Sequence, residues 1–251
     1  MSDVQFGAFY QVYKNNKATR FALENFRRCF PHNPIVLISD GGNDFSDIAK
    51  EFDCGYHMMD NLFAKNSSYK IYEDEDHCAW NGLRIVEWWR RQKLVCEETK
   101  QDYIMIMEDD VYVTDSFDIQ SPFHLRGIRY SNPFTPAMSE EITKNSGVDR
   151  GYGMCGGSMY NAKTFLSIYD DVVEDIKNNH DRLMEEDRYQ WKGLGAYDLS
   201  ITYHFNKRGY EYQAAPWLVE VREGNINNYP VVHQWKQLYE FDTHSIINGD
   251  L

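Results

Sequence analysis

The stretch Tyr103-Ile104-Met105-Ile106-Met107-Glu108-Asp109-Asp110 decides the fold of this chain, because five apolar residues run directly into three carboxylates. A short apolar run that ends in polar residues is typical of a strand buried on both faces, as in a parallel sheet. Three adjacent negative charges repel one another, and charges held near a protein interior are paired or bind a metal. The stretch therefore predicts a buried strand whose carboxyl end binds a divalent cation; the alternative is a solvated acidic turn.

Strand-like and helix-like segments alternate on both sides of this stretch. Before it, the sequence predicts strands over 4–10, 35–38 and 56–59, helices over 16–29 and roughly 76–95, and a short helix capped by Asp44 or Ser46. After it, we predict an elaborated loop over 116–149, strands over 154–160 and 210–215, and helices over 161–177 and 198–208. Alternation of this kind predicts an α/β domain with a mostly parallel sheet.

Charge and composition exclude several classes of protein. The formal net charge of −13 over 251 residues argues against a nucleic-acid partner and against electrostatic docking to an anionic membrane. The five cysteines are scattered and form no C-x-x-C pair, which argues against a disulfide framework or a zinc ribbon. The N-terminus has no signal-peptide pattern, and no apolar run approaches the roughly 20 residues of a membrane span. We expect a cytoplasmic protein without a membrane span.

Polar residues gather where the predicted strands end. In an open α/β sheet, ligands bind outside the carboxyl ends of the strands. Tyr10 and Gln11 follow the first strand, Asp40 follows the second, and Glu108 follows the central strand. If the backbone stays extended, residues 108 and 110 face the same side, so Asp110 is the expected metal ligand with Glu108 beside it.

The segment 107–113, Met-Glu-Asp-Asp-Val-Tyr-Val, resembles the D-x-D-type motif of metal-dependent, nucleotide-sugar glycosyltransferases with the GT-A fold. In those enzymes the last acid binds the metal and the first helps to hold the donor ribose. The resemblance implies a single GT-A domain over 1–251, with a mostly parallel sheet flanked by helices and a C-terminal elaboration. Residues 1–113 would form the nucleotide-binding half and 114–251 the acceptor-binding half. The implied cofactor is Mn²⁺ or Mg²⁺ on Asp110 and Glu108.

Further residues match donor-binding positions of that family. The segment 156–160, Gly-Gly-Ser-Met-Tyr, is similar to the glycine-containing strand beside the donor sugar, although a simple bulged strand is the alternative. A basic residue on the helix before the central strand sometimes reaches the donor diphosphate. The resemblance therefore implies a donor site formed by Tyr10, Gln11, Asp40, Arg84, Glu108, Asp109, Gly156 and Gly157.

Two later residues complete the expected site. The segment 191–200 resembles the family's catalytic-base segment, in which an acidic pair opens a helix, but Tyr197 replaces the first acid and only Asp198 is left. Asp198 is the expected general base, and helix capping is its alternative role. His233, between apolar residues, matches the histidine that often completes the metal shell; the alternative is a hydrogen-bonded core histidine, and His244 is a weaker candidate.

The resulting hypothesis is an enzyme that transfers a sugar from a UDP- or GDP-sugar to a hydroxyl of a glycan or glycoconjugate acceptor. With Asp198 as base the reaction would invert the anomeric centre, whereas a capping role for Asp198 would allow retention. One alternative is a sugar nucleotidyltransferase, although the glycine-rich phosphate loop of those enzymes is missing after the first strand. The other is a catalytically inactive carbohydrate-binding relative.

Overall fold

The computed structural model describes residues 5–60, 82–128, 154–191, 196–220 and 228–233. Its main sheet has seven strands in the order β3-β2-β1-β4-β7-β6-β8. These are β1 (Phe6–Val12), β2 (Ile35–Asp40), β3 (Gly55–Met59), β4 (Tyr103–Glu108), β6 (Leu125–Gly127), β7 (Met159–Asn161) and β8 (Tyr212–Ala214). A second sheet has three strands in the order β5-β10-β9, namely β5 (Val111–Val113), β10 (Val231–His233) and β9 (Leu218–Glu220).

Five helices lie within the described ranges. They are α1 (Asn16–Cys29), α2 (Ser46–Glu51), α3 (Gly82–Thr99), α4 (Ala162–Trp191) and α5 (Ala196–Lys207). Local sequence signals set several of their ends. The Asn15 side chain accepts a hydrogen bond from the Ala18 amide at the start of α1, and Asn161 caps α4 through the Thr164 amide. Gly209, with φ of 82°, follows the end of α5.

The prediction of an α/β architecture with a mostly parallel sheet flanked by helices is confirmed. Strands β3, β2, β1 and β4 are parallel neighbours, and β8 is parallel to β6. Only β7 runs antiparallel to its partners, β4 and β6. The strand predicted over 154–160 is much shorter, because β7 begins at Met159 and the preceding glycines lie in a turn. No helix along the described ranges is long and apolar enough to pass through a membrane.

Trp89 connects the three helices that cover one face of the main sheet. It lies on α3, is fully buried, and stacks on Phe165 of α4 with ring centroids 4.7 Å apart. Its indole nitrogen donates a 2.8 Å hydrogen bond to the Ser200 hydroxyl of α5. One side chain therefore fixes the relative positions of α3, α4 and α5 beneath strands β1, β2 and β4.

The opposite face is covered by α1 and by the small sheet. Ala22, Leu23 and Phe26 of α1 belong to the same buried cluster as Val111 of β5 and Leu218 of β9. The two sheets are joined directly, since β4 ends at Glu108 and β5 begins at Val111. Asp109 and Asp110, the last two residues of the acidic triplet, are thus the connection between the sheets.

His204 makes the helix layer sensitive to acid. It is 2% exposed on α5, with the edge of its ring against Trp89 and its Nδ1 atom 3.6 Å from Asp175 Oδ2. Burial lowers the pKa of His204 from 6.5 to about 3; Asp175 opposes this shift, and Arg208 and Lys207 reinforce it. The folded protein therefore holds His204 neutral where the unfolded chain takes up a proton.

We expect acid to destabilise the wild type more than a His204→Phe variant. Below the unfolded pKa, each pH unit costs the wild type roughly 1.4 kcal/mol of unfolding free energy, and this loss continues until the folded pKa is reached. Above the unfolded pKa the contribution is fully present. Urea denaturation of both proteins between about pH 7 and about pH 5 measures the difference. Equal pH dependence in the two proteins would contradict the assignment.

Candidate metal centre

Glu108 and Asp110 flank the point where the chain leaves the main sheet for the small one. Glu108 is the last residue of β4, Asp109 and Asp110 form a turn, and Val111 starts β5. Asp110 is 3% exposed, and Glu108 is half-buried. Glu108 and Asp110 do lie together, as expected. The extended backbone that was expected to place them on one side is replaced by a turn.

His233 reaches the same point from a distant part of the sequence. It is the last residue of β10, where it pairs with Val111 of the antiparallel neighbour β5. Its Nε2 atom lies 3.9 Å from Asp110 Oδ2, and the two side chains are 8% and 5% exposed. One ligand atom from each of Glu108, Asp110 and His233 lies within 4.8 Å of the others. The structure thus brings together the three residues that the sequence predicted as metal ligands.

The donor set and its spacing fit a divalent cation. Ligand atoms at about 2.0–2.6 Å from one ion lie at most about 4–5 Å from one another. Two carboxylates supply the hard oxygen ligands that Mg²⁺ and Mn²⁺ prefer, and the imidazole supplies a neutral nitrogen ligand. The two carboxylates fit either Mn²⁺ or Mg²⁺, and the imidazole is a less usual ligand for Mg²⁺, which is normally held through oxygen.

Gly156 lies against this cluster. A methyl group on Gly156 would lie 2.3 Å from Val111 Cγ2, 3.5 Å from His233 Cδ2 and 3.7 Å from Glu108 Cγ. Only glycine allows the backbone before β7 to approach Val111 so closely, whereas the distances to His233 and Glu108 are ordinary van der Waals contacts. The family resemblance implied that this glycine lies beside the donor sugar. The structure shows it beside Val111 and the candidate metal ligands His233 and Glu108.

Gly157 has a different structural role. Its φ of 91° lies in the region that favours glycine, and an added methyl group would lie 2.4 Å from Leu218 Cδ1 of β9. Its carbonyl accepts a 3.0 Å hydrogen bond from the Trp217 indole nitrogen. Gly157 therefore attaches the turn before β7 to the small sheet.

Adjacent residues of β1 face opposite sides of the main sheet. Tyr10 is fully buried toward α1, with its ring centroid 5.8 Å from that of Phe26, and burial raises its pKa well above the usual value. Gln11 is the in-register neighbour of Glu108 on β4 and therefore faces the same side as that residue. Of the two predicted donor contacts, the structure places Gln11 beside the cluster and Tyr10 in the core.

Asp40, at the end of β2, forms a buried ion pair. Its Oδ1 atom lies 2.7 Å from Nη1 of Arg91 on α3, and both side chains are fully buried. Arg91 Nη2 also donates a 2.6 Å hydrogen bond to the carbonyl of Asp60, just after β3. Asp40 therefore attaches the carboxyl ends of β2 and β3 to α3.

Sequence reasoning did not identify Arg91 as a buried partner of Asp40. The side chain of Arg90 is 57% exposed, whereas that of Arg91 is fully buried. The helical period could have indicated its burial, because Arg91 lies three residues after the buried Trp88 and four before the buried Val95, on the same face of α3.

The remaining predicted site residues are placed only in part. Asp109 lies half-buried in the turn between Glu108 and Asp110. Arg84 belongs to α3, and Asp198 is the third residue of α5, within the helix instead of just before it. The side chains of Arg84 and Asp198 lie outside the described residues, as does His244.

Comparisons with known proteins add no family to this picture. No protein-family model matches the chain, and no curated protein matches its sequence. The case for a function therefore depends on the geometry of the site.

We expect Gly156→Ala to weaken Mn²⁺ binding, because the added methyl group would displace Val111 and with it His233. Displacing groups that orient metal ligands typically lowers affinity by about 10–100-fold. Isothermal titration calorimetry with MnCl₂ measures the change. Gly209→Ala is the matched control: its φ of 82° makes alanine strained, but nothing lies within 4 Å of the added methyl group. Unchanged Mn²⁺ affinity in Gly156→Ala would contradict this account.

Proposed function

We propose that this protein is a metal-dependent glycosyltransferase that moves a sugar from a UDP- or GDP-sugar to a hydroxyl of a glycan or glycoconjugate. The observation that carries the proposal is the convergence of Glu108, Asp110 and His233 within 4.8 Å at the carboxyl end of β4. In open α/β sheets that edge is where ligands bind. The D-x-D-like sequence of the same residues supports a nucleotide-sugar donor of the kind used by GT-A enzymes.

Glu108, Asp110 and His233 would hold Mn²⁺, or Mg²⁺ in its place. When bound, such an ion supplies charge neutralisation at the departing diphosphate. The residues of the chain have two tasks around it. Glu108 and Asp110 would hold the ion at the carboxyl end of β4, and the buried surroundings of Asp110 and His233 would strengthen their electrostatic interaction with it by excluding water.

The order of neighbouring strands, β4 then β1 then β2, supports a donor site that extends from the cluster toward the end of β2. Gln11 lies on the adjacent strand to Glu108, and Asp40 ends the strand after that. The Asp40–Arg91 pair holds the β2 end firmly, so that a nucleoside bound along this edge would meet a rigid surface. Arg84, seven residues before Arg91 on α3, is proposed to reach the diphosphate.

Asp198 is the proposed base. It would accept the proton of the acceptor hydroxyl as that oxygen attacks the anomeric carbon in line with the departing diphosphate, which inverts the anomeric centre. Its position in the first described turn of α5 supports this role, since α5 is attached to the rest of the helix layer through Ser200 and Trp89.

We expect Asp110→Asn to lower Mn²⁺-dependent release of UDP or GDP from a nucleotide-sugar panel by about 100-fold or more, because a metal's contribution of several kcal/mol would be lost. Asp102→Asn is the matched control, since Asp102 is an exposed carboxylate at the opposite end of β4. Coupled nucleotide assays measure the rates. Pyrophosphate chemistry would instead indicate a nucleotidyltransferase, and inactivity of the wild type with every donor would indicate a binding protein.

We expect Asp198→Asn to lower the rate by about 10²–10⁴-fold while Mn²⁺ binding is preserved, because general base catalysis contributes on that order. NMR of the product made by the wild type reports its anomeric configuration, which we expect to be inverted. Retention of configuration, or an inverted product with activity largely preserved in the variant, would refute the role of Asp198.

A further inference from the structure

Gln11 is the residue of β1 that pairs in register with Glu108 of the candidate metal centre. Its Cα pairs in register with that of Glu108 on one side and with that of Ile38 on the other. Paired residues of neighbouring parallel strands lie about 4.8 Å apart and point to the same face. The Gln11 side chain is therefore beside the side chain of Glu108, and its other neighbour, Ile38, is fully buried and apolar.

The amide oxygen of Gln11 is a buried acceptor that receives no hydrogen bond from the described parts of the chain. Leaving such an oxygen unpaired costs free energy, so a polar group in this position requires an explanation. An apolar residue of the same size would avoid the cost. The position next to Glu108 points to a ligand that donates a hydrogen bond.

The chemistry of the site restricts what that ligand is. The oxygens of a diphosphate and of the neighbouring carboxylates are acceptors, so they offer nothing to another acceptor. A hydroxyl of the nucleotide-sugar can donate, and the KM measurement in the test below separates that source from a metal-bound water. A water molecule on a divalent cation is a strong donor, and Mg²⁺ and Mn²⁺ sites with few protein ligands keep several such waters. Within the described ranges, the cluster supplies three ligand atoms, one each from Glu108, Asp110 and His233, and water would fill positions of the coordination shell that protein atoms leave open.

We propose that the Gln11 amide oxygen accepts a hydrogen bond from a water molecule bound to the metal ion, and that Gln11 thereby positions the ion. This inference rests on the metal centre of the proposed function. It makes Gln11 a positioning residue that acts through the coordinated water and touches neither the sugar nor the acceptor. Partners of this kind orient the groups around a metal and raise its affinity.

The test compares Gln11→Met with the wild type in two measurements, calorimetric titration with MnCl₂ alone and thermal unfolding without metal. We expect the Mn²⁺ dissociation constant to rise by about 10-fold or more, because the water loses its acceptor. We expect the melting temperature of the metal-free variant to stay equal or to rise, because the variant removes an unpaired buried oxygen. A residue with a purely structural role would lower the melting temperature instead.

Two further variants complete the design. Gln11→Glu keeps an acceptor oxygen at the same distance along the side chain, so its Mn²⁺ affinity should equal or exceed that of the wild type. Thr19→Val is the matched control, because the Thr19 hydroxyl is also buried without a partner among the described residues but lies on α1, across the main sheet from Gln11. Its Mn²⁺ affinity should not change.

The outcomes separate this inference from the proposed function. Mn²⁺ affinity in Gln11→Met equal to that of a metal-binding wild type would overturn the role of Gln11 and leave the metal centre intact. The same is true if Mn²⁺ affinity is unchanged while the KM for the nucleotide-sugar rises, since Gln11 would then contact the donor. A wild type that binds Mn²⁺ no better than Asp110→Asn would overturn both the inference and the metal centre.

Discussion

The close approach of Glu108 and Asp110 where β4 is followed by β5 is the constraint on which the candidate site depends. The turn between β4 and β5 directs both carboxylates to one point, and the close packing there leaves little water to screen them. At that point His233 Nε2 lies 3.9 Å from Asp110 Oδ2. A divalent cation between the two carboxylates would lower their mutual repulsion, and this is the electrostatic basis of the proposed metal centre.

The small sheet places His233 at that point. It packs its three strands against the same face as α1, and β10 lies between β5 and β9 so that its last residue meets the first residue of β5. Gly156 and Gly157 allow the turn before β7 to approach this sheet within distances that no side chain would permit. The packing of the small sheet against the main sheet therefore also brings His233 beside Glu108 and Asp110.

Sequence reasoning predicted the elements that have a clear local signal. The helix over Asn16–Cys29 has the predicted bounds, and the strand ending in Glu108 follows from its apolar run. It also named all three members of the candidate metal cluster, although His233 followed from a family resemblance and not from any local pattern. What it missed depends on tertiary contacts: the two short strands β9 and β10 have no readable period, and the burial of Arg91 depends on a partner, Asp40, that is 51 residues away. The core position of Tyr10 was equally hidden, because both faces of a central strand are apolar.

An anomalous difference map from crystals soaked in MnCl₂ is the most direct test of the metal centre. This account predicts a single strong manganese peak within about 2.0–2.6 Å of a carboxylate oxygen of Glu108, a carboxylate oxygen of Asp110 and Nε2 of His233. A map with no peak there, or with manganese only on exposed surface carboxylates, would contradict it.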